Sequence, residues 1–351
     1  MSNSCFFRLA VLLCAACVRV GSPDPAAAQG FDTVGTRAQG MGGAFVAVAD
    51  DATATYWNPA GMASIPIVDL TLGFGRQEQE QSAEDGRPES GQGPVSRTRN
   101  SGFAVALPVL GVSYYALRTG LALPGATVPP DIVRDDAEGG FVGGAATMWN
   151  LGVSVVQSLG DAVVVGSTLR LVGAGTGIST RAVDAAGDAL DDAADLDIDG
   201  ETKFDVDVGV MAYVGRARLG LTVRNLVAPT WDTSGVLPLE TDRLVRVGVG
   251  WGPEPVHGRR TWTIASDADL TTADAPDGER RAVAVGAERW FLNSRVAVRG
   301  GARAQTIGDA RPVATGGASV GVWSGLLLEA QVTAGGDTIE RGWGLGARVT
   351  F

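Results

Sequence analysis

One acidic run in the sequence has the residue types and the spacing that calcium chemistry requires. Asp195, Asp197 and Asp199 are followed by Gly200, which matches the D-x-D-x-D-G opening of a calcium-binding loop. The twelfth position of such a loop would be Val206, where a bidentate glutamate normally closes the site. Two interpretations therefore stay open, a weak calcium site and a solvated acidic loop.

The sequence offers no set of residues for hydrolytic chemistry. The single histidine, His257, falls in a predicted turn, and a Ser-His-Asp arrangement would have to use this one residue. The run GAGTG at 173–177 is rich in glycine, but no helix is expected after it to complete a phosphate site. We therefore predict neither an enzyme nor a bound cofactor.

The amino terminus has the pattern of a secretory signal peptide over residues 1–28. A positive residue and an apolar run at 9–18 precede small residues at 26–28, where cleavage is expected. This apolar run is too short to cross a bilayer as a helix. A lipoprotein signal ending at Cys17 is an alternative, although Cys14 stands where that pattern prefers leucine.

The cysteines and the net charge exclude several classes of protein. All three cysteines (Cys5, Cys14 and Cys17) lie inside the signal, so the mature chain has no disulfide and no cysteine metal site. The signal contains two of the 28 basic and one of the 39 acidic residues, which leaves a mature charge of 26 minus 38, or −12. Such an acidic chain is a poor candidate for binding nucleic acid.

From residue 67 onward the sequence falls into short segments in which apolar and polar residues alternate, the period of a strand with two different faces. Most are long enough for a tilted strand to cross the hydrocarbon layer. The fourteen candidates are 67–75, 99–107, 110–118, 146–158, 161–173, 203–214, 216–226, 243–252, 260–270, 280–290, 294–304, 313–322, 325–334 and 340–351.

The connections between these candidates alternate between long and short. Those at 76–98, 119–145 and 174–202 are long, whereas those at 108–109 and 159–160 are short. This regularity is typical of outer-membrane barrels and is not expected of a soluble sandwich. We therefore predict an all-β fold, a transmembrane antiparallel β-barrel of about 14 strands at 67–351. An even strand count places both termini on the short-turn side, the periplasm.

The alternation also assigns the two faces of each strand. Fourteen strands enclose a lumen too wide for apolar side chains to fill, so the apolar face must point outward to lipid. The polar face then lines the lumen. The predicted interior residues are Asp205, Asp207, Arg218, Arg224, Asp267, Asp269, Arg295, Arg299, Arg303, Glu329, Gln331 and Thr333. Most of six tryptophans fall near predicted strand ends, where an interfacial belt is expected: Trp149, Trp251, Trp262, Trp290, Trp323 and Trp343.

The segment before the strands, residues 29–66, is compact and rich in small residues. Its glycines allow backbone conformations and close approaches that a side chain would block. Asp50 and Asp51 can cap a short helical turn over 52–57, and the Asn58-Pro59 pair stops that turn. We expect Asp50 and Asp51 to pair with wall arginines, first among them Arg295, Arg299 and Arg303. Asn58, Pro59 and Ala60 would form the corner into the first strand.

This segment carries a family resemblance. The stretch RAQGMGGAFVAVADDATATYWNPAGM resembles the mature start of FadL-type outer-membrane channels and of their smaller PorV-like and TraF-like relatives. The motif residues are Gly40, Met41, Gly42, Gly43, Asp50, Asp51, Asn58, Pro59, Ala60 and Gly61. The resemblance implies that the segment plugs a fourteen-stranded barrel from the periplasmic side. The terminal Phe351 resembles the signal that the barrel-assembly machinery reads. The stretches 205–213 and 220–229 resemble mid-barrel strands of the PorV-like branch.

The resemblance implies two functions of different classes. The first is passive uptake of small hydrophobic molecules, fatty acids or aromatic hydrocarbons, through a plugged channel with a lateral route. The second is a PorV-like interaction platform that receives the substrates of a protein-secretion system. In either case we expect an outer-membrane protein of a Gram-negative-type bacterium, surrounded by lipid and lipopolysaccharide. We expect a monomer, because the acidic residues of loop 174–202 would repel a neighbouring copy.

Overall fold

The chain forms a closed antiparallel barrel of fourteen strands. The computed structural model describes residues 34–79, 96–125, 128, 140–231, 239–253, 261–275, 278–308, 310–336 and 340–351. The wall strands are β1 (Asp69–Gln79), β2 (Ser96–Ala106), β3 (Leu110–Pro124), β4 (Phe141–Leu159), β5 (Val163–Val183), β6 (Glu201–Val214), β7 (Ala217–Arg224), β8 (Leu244–Trp251), β9 (Trp262–Asp269), β10 (Ala282–Phe291), β11 (Val296–Gln305), β12 (Val313–Trp323), β13 (Leu326–Gly335) and β14 (Glu340–Thr350).

Each wall strand pairs with its neighbours in the sequence, and β1 pairs with β14 to close the barrel. This closure satisfies the backbone donors and acceptors along every strand, as a hydrocarbon environment demands. The predicted barrel is confirmed, and each predicted strand overlaps an observed one. The predicted signal peptide and His257 lie outside the described residues.

Four consecutive strands are longer than the rest at the long-loop end. β3 to β6 have 15, 19, 21 and 14 residues, whereas the other wall strands have 8 to 11. The prediction ended β5 at residue 173, yet β5 continues through Gly173 and Gly175. A Cβ on Gly173 would lie 2.1 Å from the Trp149 ring, and one on Gly175 would lie 2.9 Å from Ile198. Neighbouring side chains therefore cover these glycines and extend the sheet.

The helix Ala186–Asp195 packs on the outer surface of this long-strand region. Its buried residues are Ala186, Ala189, Leu190 and Ala193, and its backbone lies over Gly143 of β4. Two short hairpins, Thr230–Trp231 with Leu239–Glu240 and Ala273–Ala275 with Gly278–Arg280, follow β7 and β9. No helix within the described ranges is long and apolar enough to cross a membrane.

The two faces of the wall differ in the predicted way. Large apolar side chains such as Leu72, Phe74 and Val285 are exposed on the outside, whereas polar side chains such as Asp267 and Thr333 are buried inside. Two expectations were wrong. Arg295 is exposed in the turn that precedes β11, because β11 begins one residue later. Trp290 is buried and its indole N–H donates to Glu288 at 2.9 Å, so it is not part of an interfacial belt.

Candidate functional site

Residues 34–65, here called the inner segment, lie inside the barrel. The segment contains the helices Thr36–Gly40 and Ala54–Trp57 and a 3-10 helix, Pro59–Ser64. Nearly all of its side chains are buried. Phe45, Tyr56 and Trp57 pack edge to face within it, with ring centroids 5.8–5.9 Å apart. The segment therefore supplies an apolar core to a lumen whose wall is polar.

Glycines of the predicted motif sit where the backbone leaves no room for a side chain. Gly42 and Gly43 have φ of +70° and +83°, in the left-handed region. A Cβ on Gly42 would also lie 2.8 Å from the backbone nitrogen of Ala302 in β11. A Cβ on Gly61 would lie 1.9 Å from the carbonyl oxygen of Ala49. The motif thus permits the segment to touch the wall and to fold against itself.

Hydrogen bonds between side chains and backbone groups join the inner segment to the wall. The Asp267 carboxylate of β9 accepts from the backbone N–H groups of Phe45 and Val46 at 2.7 and 2.8 Å. The Asn58 side-chain amide donates to the carbonyl oxygens of Val46 and Val210 at 2.9 and 3.1 Å. Both side chains are buried, so they satisfy polar groups of irregular backbone that water does not reach.

Asn58, Pro59 and Ala60 do not form the predicted corner into the first strand. Asn58 has extended backbone, and its side chain accepts from the Ala60 N–H at 3.1 Å, which caps the 3-10 helix that Pro59 begins. Proline suits that first position because its missing N–H would have no partner there. The chain therefore continues as a helix, and β1 starts only at Asp69. Capping of the preceding turn involves Asp51, which accepts from the Thr53 N–H at 3.0 Å.

Arg37 joins the inner segment to the wall through ion pairs. Its guanidinium donates to both carboxylate oxygens of Glu288 in β10, at 2.8 and 2.9 Å. The same group lies 2.5 Å from Asp50 and 3.1 Å from Asp51. Arg37 is only 5% exposed, so these carboxylates replace the water that a charged guanidinium would otherwise require.

Two wall arginines extend this network. Arg218 of β7 lies 3.5 Å from Asp50, and Arg348 of β14 lies 3.8 Å from Asp51. Arg348 also donates to Asp69 of β1 at 2.7 Å. Asp50, Asp51 and Asp69 are thereby held between one cation of the inner segment and two of the wall, on β7 and β14.

The predicted partners of the two motif aspartates were wrong. Arg295 lies exposed in a turn, outside the lumen. Arg299 does point inward, but its guanidinium is 3.7 Å from the carboxylates of Glu288 and Glu329. Arg303 pairs with a glutamate of β14. These interior carboxylates on β10, β13 and β14 pair with the two inward-facing arginines of β11, so the motif aspartates pair elsewhere.

The arrangement shifts the pKa of both partners in the inner segment. Burial alone would raise the pKa of Asp50, but the guanidiniums of Arg37 and Arg218 outweigh burial and hold this pKa well below its usual value. Burial would likewise lower the pKa of Arg37, and its carboxylate neighbours instead raise it. Both groups therefore stay charged across the physiological range.

A second polar cluster lies on β5, β6 and β7. Arg170 lies 2.7 Å from Asp205 and 2.9 Å from Asp207, and all three are buried. The Arg224 guanidinium lies 3.5 Å from Asp207 and 3.6 Å from the centre of the Tyr56 ring. The predicted interior carboxylates are thus paired, and a cation–π contact links the cluster to the inner segment.

The acidic run has no calcium-binding geometry. Within the part of the chain that the structure describes, no group of three or more His, Cys, Asp or Glu residues could hold a metal ion. Asp195, Asp197 and Asp199 are all exposed. Ile198 packs against Gly177 of β5, so the segment runs extended along the sheet. An extended backbone keeps these carboxylates in a row, whereas a calcium loop must curl them around one point.

A small cavity lies between the inner segment and strands β1 to β3. Its volume is about 20 Å³, which is room for about one water molecule. The residues that line it come from both faces of the wall: Phe74, Ser101 and Ala116 from the outer face, and Gly73, Gly102 and Tyr115 from the inner face. The pairing of β1 with β2 and of β2 with β3 continues through these residues, so the cavity lies against the inner side of an unbroken part of the wall.

We expect Gly286→Ala to loosen the inner segment, because a Cβ there would lie 2.3 Å from the Met41 carbonyl oxygen. The contact is with backbone, and such overpacking typically costs about 1–3 kcal/mol. Protease cleavage within residues 34–65 of the detergent-solubilised protein should therefore become faster by about tenfold. Gly73→Ala is the matched control, since its Cβ would meet nothing closer than 3.8 Å. Equal cleavage rates in both variants would contradict this close packing.

The closed lipid-facing wall defines an outer-membrane β-barrel, and solved structures of such proteins share its architecture. The CymD monoaromatic hydrocarbon channel matches with a TM-score of 0.62 and 12% identity, over 92% of this chain and 99% of that chain. The Ralstonia pickettii toluene transporter TbuX matches with a TM-score of 0.58 and 13% identity, over 92% and 99%. A Pseudomonas aeruginosa FadL homologue matches with a TM-score of 0.55 and 12% identity, over 94% and 99%.

At the level of sequence, a family model described as the TraF protein of the F plasmid transfer operon matches residues 99–269. No curated protein matches the chain significantly. The structural matches extend over nearly the whole length of both chains. The chain has the fold of the FadL-type outer-membrane channel superfamily.

Proposed function

We propose that this chain is a passive outer-membrane channel for small hydrophobic molecules, such as fatty acids or aromatic hydrocarbons. The observation that carries the proposal is the cavity between the inner segment and strands β1 to β3, beside a lumen that the inner segment fills. A molecule that passes between β1, β2 and β3 exits into hydrocarbon, so this route selects for apolar molecules. The resemblance in fold to proteins named as hydrocarbon channels supports the same proposal.

Transport through this route requires movement of the wall and of the inner segment, because the pairing of β1, β2 and β3 leaves no opening between them. A cavity of about 150 Å³ is known to bind benzene, and the wall cavity has only about 20 Å³. Part of the inner segment, including Thr36 and Gln39, borders the cavity. In this proposal the inner segment is a plug, and a shift of its first helix enlarges the cavity while the rest continues to block water.

We expect Ser101→Trp to reduce uptake strongly, because the indole would cover the outer side of the cavity. Cells that lack hydrophobe channels of their own and express the protein are given labelled toluene or labelled oleate. At least one compound should enter faster than in cells with an empty vector, and Ser101→Trp should remove most of that difference.

Ala318→Trp is the control for this variant, because Ala318 is an exposed, outward-facing residue of β12 on another part of the wall. It should transport like the unmodified protein. Equal losses in the two variants would argue against the route between β1 and β3. Uptake of neither compound by the unmodified protein would overturn the proposed function.

A second candidate function is an interaction platform for protein secretion. Two observations favour it: the TraF model match over residues 99–269, and the long-strand region that rises within that span. Extraction in mild detergent separates the candidates. A specific protein partner that is lost on removal of the helix Ala186–Asp195 favours the platform, whereas a bound lipid or hydrocarbon favours the channel.

A further inference from the structure

Four arginines form a patch on the outer face of the barrel at its long-loop end. Arg76 lies on β1, Arg97 and Arg99 lie on β2, and Arg341 lies on β14. The strand register sets them in two adjacent rows: Arg76 is directly opposite Arg99, and Glu78 lies between Arg97 and Arg341. Directly opposed side chains are about 5 Å apart at their Cβ atoms, so these guanidiniums share one small surface.

Among the residues that the structure describes, the carboxylates beside this arginine patch do not neutralise it. Glu78 accepts from both Arg76 and Arg97, and Asp191 accepts from Arg97 at 2.7 Å. Arg99 and Arg341 are exposed and make no ion pair or hydrogen bond with the described residues. Like charges directly opposite each other destabilise a sheet. The patch therefore has a surplus of positive charge that an anion would relieve.

The neighbouring strand adds no carboxylate to the patch. Arg118 of β3 lies opposite Arg99, which lengthens the row of positive charges. Its guanidinium donates to the carbonyl oxygens of Ala193 and Leu196 at 3.0 and 2.6 Å. The hydrogen bonds of Arg118 thus go to the end of the helix, and Arg99 has no partner among the described residues.

The patch begins where the lipid-facing apolar surface ends. Phe74, which is 51% exposed, lies two residues below Arg76 on β1, and Leu345, which is 44% exposed, lies opposite Phe74, four residues below Arg341 on β14. Two residues of a strand span about 7 Å. Trp343 lies beside Arg76 in the register and packs edge to face on Phe74, with ring centroids 5.7 Å apart. Such an aromatic residue marks the height of lipid headgroups.

We propose that the arginine patch binds the phosphate groups of an anionic lipid in the leaflet at the long-loop end. Guanidinium presents paired N–H donors that match a phosphate, and Arg99 and Arg341 have theirs available. The acyl chains of the same lipid would lie on Phe74 and Leu345. A soluble anion would use only the arginines, whereas a lipid uses both surfaces.

The test is native mass spectrometry of the intact protein with bisphosphorylated lipid A in detergent. The unmodified protein should retain lipid A, and the Arg99→Gln/Arg341→Gln variant should bind it at least about tenfold more weakly. The matched control is Arg289→Gln/Arg295→Gln, which removes two exposed arginines at the short-turn end. Heat-modifiable migration on gels verifies that all three proteins are folded.

Three outcomes would overturn the proposal: equal weakening in both variants, no weakening in either, or undiminished binding of lipid A from which the phosphates have been removed. Inorganic phosphate distinguishes the two sources of the anion. If it displaces lipid A at comparable concentration, the patch is a site for free anions and the lipid assignment fails. If lipid A stays bound in a large excess of inorganic phosphate, the apolar surface contributes to binding and the lipid assignment stands.

Discussion

Deletion of residues 34–62 will turn a closed barrel into an open pore. The deleted residues fill the lumen, and the surfaces they leave behind carry Glu288, Asp267 and Arg218, which water can solvate. Fourteen strands without filling enclose an aqueous channel, so single-channel conductance in planar bilayers should rise by about tenfold or more. Cells that produce the variant should also become sensitive to large antibiotics.

The barrel itself should survive this deletion. Its strands are joined by hydrogen bonds between neighbours, including the β1–β14 pairing, and none of these pairings involves residues 34–62. The variant should still change its migration on gels when heated. A folded variant that conducts no better than the intact protein would refute the view that the inner segment is a plug.

Arg37→Ala will release the inner segment without unfolding the wall. The substitution leaves Glu288 and Asp51 buried without their nearest cation, while Arg299 and Arg348 remain 3.7 and 3.8 Å from them. Breaking a buried ion pair by removing one partner costs about 3–5 kcal/mol. Because the sequence contains no cysteine after Cys17, a single Val48→Cys reporter in the protein produced without residues 1–28 can follow release. Its reaction with a thiol reagent should become faster by about a hundredfold or more.

Arg181→Ala provides the comparison in the same reporter background. Arg181 also contacts a carboxylate, that of Asp192 at 2.7 Å, but its side chain is 64% exposed. Exposed pairs contribute only about 0–1 kcal/mol, so labelling of Val48→Cys should change little. Arg37→Lys should fall between the two, because lysine keeps the charge and loses the paired donors. If Arg37→Ala labels no faster than Arg181→Ala, the ion pairs do not hold the segment.

The architecture could be predicted from the sequence because a membrane barrel repeats one rule fourteen times. Alternation identified each strand, and the alternation of long and short connections identified the barrel. The ends of β5 could not be predicted in this way. Gly173 and Gly175 interrupt the pattern, and their place in the sheet depends on Trp149 and Ile198, which are distant in sequence or lie in the next connection.

The charge pairing inside the barrel was less accessible to sequence reasoning. Face assignment placed Arg299 and Arg303 inside correctly, but it says nothing about which carboxylate reaches them. The partner of Asp50 and Asp51 was visible in principle. Arg37 is the only basic residue in the inner segment, whose only acidic residues are Asp50 and Asp51. A single cation among buried small residues requires local counter-charges. This signal points to Arg37, and not to an arginine of the wall, as the partner of the two aspartates.

The unequal lengths of the strands make the barrel asymmetric, because one side of its wall extends farther at the long-loop end than the other. At about 3.3 Å per residue, the 21 residues of β5 extend about 70 Å and the eight of β7 about 26 Å. A tilted strand of about 9–11 residues already spans the hydrocarbon layer, so roughly half of β5 stands clear of it. These long strands stand above one side of the barrel mouth. A molecule that diffuses along the membrane therefore reaches the mouth most directly from the side where the strands are shorter, over β7 to β14, β1 and β2.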